Sequence, residues 1–370
     1  MKPRLLVQIE AAIAAEPPGV AADCKQAERA SLLARLGQHA EARAVIAALH
    51  AKYAAQPQLS VSAWLSFTES LLSFFTDLSR AARGKMHRAH TLSSAFRDAK
   101  VHAMSAAWLA NMAYEDMDFE AMASHVVDVF QLTQDDHLGA RAGACLVTAK
   151  AYHFAGHFDR AQPWYALARQ NAAASAEELT LGGVMLSMAK LLTCEARQIA
   201  LRGEPDALST RRARSVAEST GNFDALIGTS ALNALVPLLH AQVNSIQGHW
   251  SAAVALYEAR FNDGLLQGMD RMRAWLGADL AWCRLQLGQT EQALKDALAA
   301  EVAVANDHDA DDRAAAHSRI AQVLSQLGHA DSAARHREQA AIDWLAHEQM
   351  QARALALIDQ ALASGPHPAS

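Results

Sequence analysis

The side chains of this 370-residue chain that could do chemistry rarely stand at spacings that suit it. His153-Phe154-Ala155-Gly156-His157 places two imidazoles at i and i+4, where two ligands on one helix face can share a zinc ion, but no acidic third ligand adjoins them. His87 and His90 form an i,i+3 pair of the same weak kind. Asn306-Asp307-His308-Asp309-Ala310-Asp311-Asp312 opens like a calcium loop, yet it lacks Gly at the sixth place and Glu at the twelfth, where Ser318 falls. Its carboxylates suit a helix N-terminus instead. Arg211, Arg212 and Arg214 make one basic cluster, read as a solvated helix face. There is no Gly-rich phosphate loop, nucleophile elbow or HExxH, so no catalytic, metal or cofactor-binding residue is expected.

The elements that carry these residues follow a recurring turn. Gly156-His157-Phe158-Asp159-Arg160-Ala161 has a Gly able to end one helix, then an aromatic, then an Ala that lets the next helix approach closely. The pattern returns at Gly37, Gly248, Gly288 and Gly328, and the last two gaps are both 40 residues. Asp77-Leu78-Ser79-Arg80-Ala81-Ala82 and Met117-Asp118-Phe119-Glu120-Ala121-Met122 are copies without the Gly, and Gly203-Glu204-Pro205-Asp206-Ala207-Leu208 is a looser one. Seven residues before these anchors stand Ala30, Ser70, Ala110, Ala149, Ala196, Ala241, Ala281 and Ala321, all small. Two-helix units that stack need small side chains where their helices touch, and a period of this length predicts a solenoid.

Composition agrees. A 51% hydrophobic fraction with only 9 Pro, filled out by Ala, Leu, Gln, Arg and Glu, favours helix throughout. A net charge of -6 gives no electrostatic footprint for nucleic acid or an anionic membrane. Cys24, Cys145, Cys194 and Cys283 are scattered without CxxC spacing, so free thiols in a reducing compartment are expected. The start of the chain is interrupted by Gln8 and Glu10, unlike a signal peptide, and no window approaches the ~18 uninterrupted apolar residues of a membrane helix. A cytoplasmic protein without a membrane segment is expected.

In chain order, residues 1–16 read as an N-terminal cap helix ended by Pro17-Pro18-Gly19, and 20–347 as about eight hairpins. The two longer repeats predict helices near 176–201 and 222–247, the latter kinked by Pro237. Pro163 is expected in the first turn or so of its helix. A separate cap helix is predicted over 349–363, followed by a disordered tail over 364–370.

This arrangement of helix, small residue, Gly-x-aromatic-x-x-Ala turn and second helix resembles the tetratricopeptide repeat. It is most similar to the long-repeat variety with ~40 residues per unit, found in bacterial signalling proteins and large transcription regulators, rather than the usual ~34. The best copies are Ala149, Tyr152, Gly156, Phe158, Ala161 and Tyr165, and Ala241, Gly248, Trp250, Ala253 and Tyr257. The resemblance covers nearly the whole chain and implies an all-α, right-handed α-solenoid over 1–363 with capping helices at both ends. It leaves no length for a cyclase, kinase or DNA-reading module.

The resemblance also implies that the first helix of each hairpin lines a concave face, where ligands contact residues about six and three before the turn. Here the minus-six residues are Ser31, Leu71, Asn111, Lys150, Arg197, Gln242, Trp282 and Gln322, and the minus-three position adds Tyr114 and His153. Asn and Gln both donate and accept, as an extended peptide backbone requires, and Lys150 and Arg197 could meet a carboxylate. The expected partner is a protein or peptide with an acidic or C-terminal segment, held by Asn111, Tyr114, Lys150, His153, Arg197, Gln242 and Trp282. Solvation of a polar stripe is the plainer reading of the same residues. Trp64, Phe74, Phe75, Phe96 and Trp108 read first as core, and as a partner site if exposed.

A non-enzymatic interaction scaffold is therefore the leading expectation, and a regulatory array that binds a small ligand and signals to a separate protein is the second. An enclosed aromatic pocket around Tyr114, His153 and Trp282 would favour the latter.

Overall fold

The computed structural model describes residues 2–133, 137–203, 205–305 and 309–364. Among them the regular elements are 17 α-helices and one 3-10 turn, with no strand, and the helices pack in adjacent pairs. The all-α expectation is met.

The hairpin turns owe their shape to backbone rather than side-chain chemistry. Gly37, Gly156, Gly248, Gly288 and Gly328 all take φ between +77° and +83°, the left-handed conformation that glycine enters without a Cβ penalty. In each, the amide after the Gly donates back across the turn, as His157 does to the Tyr152 carbonyl at 2.9 Å, which closes the last turn of the helix. The copy without glycine keeps the geometry. Met117 takes φ +56° and Asp118 donates to the Ala113 carbonyl at 2.9 Å. At the other such copy the left-handed residue is Leu78, one position later than the register predicts.

The small residues seven before each turn do what their size suggested. Ala30, Ser70, Ala110, Ala149, Ala196, Ala241, Ala281 and Ala321 are all 2% exposed or less. A larger side chain at any of them would hold neighbouring helices apart.

Contacts group the helices into two compact units. The first comprises described residues within Met1–Val184, Asn222–Leu232 and Arg353–Ser370. Its hairpins are α2 (Val20–Arg35) with α3 (His39–Tyr53), α4 (Leu59–Asp77) with α5 (Ala81–Phe96), α6 (Ala99–Glu115) with α7 (Phe119–Leu132), and α8 (Leu138–Phe154) with α9 (Phe158–Ala174). The first helices α2, α4, α6 and α8 pack in a row. α1 (Arg4–Ala15) packs against α2, with Leu6 and Ile9 joining Ala30, Leu32 and Leu33 in one core. The larger core centres on Trp64, Phe67, Leu71, Met86 and Leu109, and the rings of Phe74, Phe75 and Trp108 pack edge-on beside it. The aromatics of repeats two and three are thus core and core-edge.

The second unit comprises described residues within Met185–Gly221 and Asn233–Ala352. Its hairpins are α12 (Leu235–Ile246) with α13 (Trp250–Leu266) and α14 (Arg273–Gln286) with α15 (Thr290–Val304), followed by α16 (Ala310–Gln326) and the first part of α17 (Ala330–Ser364). α12, α14 and α16 again pack one against the next. α10 (Glu178–Arg202) and α11 (Ala207–Ile227) complete the set of helices. α10 is the one described helix long and apolar enough, by length and composition, to cross a membrane.

Two boundaries differ from the sequence expectation. The helix predicted over 222–247 is broken rather than kinked: α11 ends at Ile227, Gly228 and Leu232 take left-handed φ, and α12 begins at Leu235. Pro237 therefore falls in the first turn of α12, where its missing N–H has no helical acceptor to serve. α9 begins at Phe158 as expected, and Pro163, its sixth residue, falls just past the first turn. The predicted stop near residue 348 is absent, and α17 runs 35 residues without interruption because no Gly or Pro breaks it before Gly365. The loop residues Asn306, Asp307 and His308, and the tail from Gly365, lie outside the described residues.

Candidate functional site

In the first unit, three of the expected site residues, Asn111, Tyr114 and Lys150, come together through the stacking of α6 on α8. The Lys150 ammonium donates to Asn111 Oδ1 at 2.9 Å and to Glu115 Oε1 at 2.6 Å, and it lies 4.1 Å from the centre of the Tyr114 ring. Only 4% of Lys150 is exposed. Its charge is thus met inside the fold by a carboxylate and a ring face, and an incoming carboxylate must compete with Glu115. His153 is also buried. Its Nδ1 lies 3.1 Å from the Tyr165 hydroxyl, which burial holds well above the usual phenol range. His157 is exposed just before α9, so the i,i+4 pair does not converge.

In the second unit, Arg197 is 1% exposed. Its Nη2 donates to Asp312 at 2.8 Å, Asp311 lies at 4.0 Å, and the guanidinium sits 4.5 Å from the Trp275 ring centre. Burial disfavours its charge, and the two carboxylates more than offset that, so its proton is held more tightly than in water. Asp311 is pushed up to about 6 by burial and by its neighbour Asp312. These carboxylates occupy the first turn of α16, where they suit the helix dipole and answer Arg197 at once. The calcium-like run therefore serves an ion pair in its described part.

Gln242 is equally buried, and neither its amide oxygen nor its nitrogen has a hydrogen-bond partner. The Tyr257 hydroxyl, Trp275 Nε1, and the Nε and Nη1 of Arg197 are likewise buried without partners. Tyr257 lies within electrostatic reach of Arg197, Arg319 and Asp279. Trp282 is half-buried, edge-on to Trp250 at 6.3 Å and beneath the Arg319 guanidinium at 5.1 Å. Sequence reasoning missed Glu115, Tyr165, Trp275, Asp279 and Arg319. For Asp279 and Arg319 a signal existed: they are 40 residues apart, at equivalent places in consecutive hairpins.

The four cysteines are free, Cys145 and Cys283 buried and Cys24 and Cys194 half-buried. His87, His90, His102 and His125 gather across α5, α6 and α7, with His90 and His102 ring centres 4.3 Å apart. Among the described residues no three His, Cys, Asp or Glu side chains are grouped to hold a metal ion. Compared with known proteins, the chain matches no family model and no curated sequence.

Proposed function

We propose that the chain is a non-enzymatic interaction scaffold of the tetratricopeptide type, a right-handed array of about eight hairpins that works in the cytoplasm. Its first-helix face binds a peptide or partner protein rather than nucleic acid or a membrane. The observation that carries this reading is the contact of Asn111, Tyr114 and Lys150 across α6 and α8. There an amide suited to an extended backbone and a mostly buried cation from neighbouring hairpins meet in one polar cluster, and an acidic segment that reached Lys150 would have to replace its present partner, Glu115. A cross-linking pull-down from the native cell, comparing the unaltered chain with Asn111→Ala/Lys150→Met of matched thermal stability, tests it. Loss of a specific partner from the variant supports the site; equal retention refutes it.

A second reading, a sensor that binds a small polar ligand, is favoured by the interior of the second unit. Gln242, Tyr257, Trp275 and Arg197 keep buried polar atoms without partners, each costing about 1–3 kcal/mol if left so. A ligand with both donors and acceptors would answer them in a form of the unit opened to admit it. On this reading Gln242→Leu raises the melting temperature of the purified chain and abolishes any thermal shift produced by the small-molecule fraction of a cell extract. A shift that persists in the variant removes Gln242 from the site.

A further inference from the structure

Residues 353–364, the last three turns of α17, belong to the first unit, far along the chain from the hairpins they meet. Ala354, Ile358 and Leu362, spaced four apart, form a buried stripe. Beside the stripe, Asp359 is held by two residues of the fourth hairpin. Arg160 donates to both carboxylate oxygens, Nη2 to Oδ1 at 2.5 Å and Nη1 to Oδ2 at 3.0 Å, and the Tyr152 hydroxyl donates to Oδ1 at 2.7 Å. The guanidinium also lies over the Tyr152 ring at 4.3 Å and donates to its hydroxyl at 3.0 Å. Six residues earlier Arg353 pairs with Glu120 at 2.6 Å, in the first turn of α7. The grip therefore falls on the turn edge of hairpins three and four, largely at the starts of their second helices, on residues that the Asn111–Lys150 cluster does not use.

Two features of this contact matter together. The Arg160–Asp359 fork is the geometry with which a guanidinium recognises a carboxylate specifically, and Tyr152 completes it. Yet both ion pairs are open to solvent, with Arg160 and Asp359 side chains 46% and 40% exposed and Arg353 and Glu120 64% and 65%. Such pairs add selectivity and modest hold, but reversing one charge turns attraction into repulsion and tips a weakly seated segment out. A segment with three apolar anchors stays seated because it is tethered, which raises its effective concentration without any new contact.

We propose that the turn edge of hairpins three and four is a docking seat for an amphipathic helix, occupied in this state by the chain's own residues 353–364. The partner it fits is a helix with apolar residues at i, i+4 and i+8 and a carboxylate directly after the middle one. A partner helix of that pattern displaces the C-terminal segment, and the carboxylate on Arg160 and Tyr152 sets its register. The seat does not depend on the polar face of α6 and α8, so it stands or falls apart from the groove proposed above.

The test uses the full chain and a fluorescent peptide of residues 349–364. Asp359→Lys releases the internal segment without touching the seat, so this chain should bind the native peptide on the order of tenfold more tightly than the unaltered chain does. Adding Arg160→Met should abolish the gain, and a peptide carrying Asp359→Lys should bind neither. Equal affinity for the unaltered and Asp359→Lys chains, or no binding to either, overturns the proposal. So does a concentration-dependent dimer of the unaltered chain that Asp359→Lys abolishes, since the seat would then serve a second copy. Hydrogen exchange on the unaltered chain gives an answer that needs no variant: amides 353–364 should exchange well ahead of amides 331–346 of the same helix, and exchange in step overturns it.

Discussion

Arg319 Nε donates to Asp279 Oδ1 at 2.8 Å, and the two residues stand 40 positions apart, so one repeat length separates the partners of a buried ion pair. Arg319 also donates to Gln322 at 2.7 Å and covers the Trp282 ring. The pair thus ties α14 to α16 through a contact that only in-register stacking of hairpins can make.

Breaking it from one side should be costly. Arg319→Ala leaves the Asp279 carboxylate buried without its cation, an effect worth about 3–5 kcal/mol, whereas Arg319→Met with Asp279→Leu should cost much less or nothing. Urea midpoints of the two variants check this, and equal losses would mean that packing rather than charge is at stake.

The turn glycines should not be equivalent. At Gly288 an added Cβ meets nothing within 4 Å, so Gly288→Ala is charged only for its left-handed backbone, about 1–2 kcal/mol. At Gly37 the same Cβ would stand 2.5 Å from Ser230 Oγ and 2.7 Å from the Ala231 amide nitrogen. The 222–232 segment is bonded there through the Ser230 amide to the Leu36 carbonyl at 3.0 Å. Gly37→Ala should therefore lower the melting temperature distinctly more than Gly288→Ala, and should speed hydrogen exchange in 228–232.

Acid should weaken the first unit through its histidines. His90 is pushed down to about 4 by burial and by neighbouring His102, with His125 adding and Asp128 opposing, while burial also lowers His87 and His102. Arg83 faces His87 in the same sense. A folded-state value below the unfolded 6.5 means that the unfolded chain binds protons first. Stability is intact above pH 6.5 and falls as pH drops from there toward 4, by about 1–3 kcal/mol for His90. His90→Gln should flatten the slope of stability in that window, measured by urea titration at each pH.

Thiol reactivity offers a check on burial. Burial pushes the Cys145 and Cys283 thiols up to about 12 and Cys194 to about 11. At pH 8 these three should react with a disulfide reagent far more slowly than in urea-unfolded protein. Rapid labelling of Cys283 in the native state would show that α14 opens.

Much of the fold was legible before any coordinate. The left-handed glycines and the small residues seven positions earlier are local demands, met within one turn or between adjacent hairpins, so spacing alone reveals them. Leu78 escaped the register because a left-handed residue without glycine leaves no compositional mark. The long run of α17 escaped for a related reason: apolar spacing continues through residue 348, and only the expectation of a cap suggested a stop.

The sequence by itself determined the all-helical class and most of the left-handed hairpin turns. Tertiary structure alone decided what the expected site side chains meet. Arg197 and Lys150 read as cations free to grip a ligand, yet their partners are Asp312, 115 positions away, and Glu115, 35 positions away. Asp359 finds Arg160 across 199 positions. Hydrogen bonding and hydrophobic spacing along a helix are short-range and leave a periodic trace, whereas burial of a charge depends on which distant carboxylate the folded chain brings to it, and no period in the residues records that.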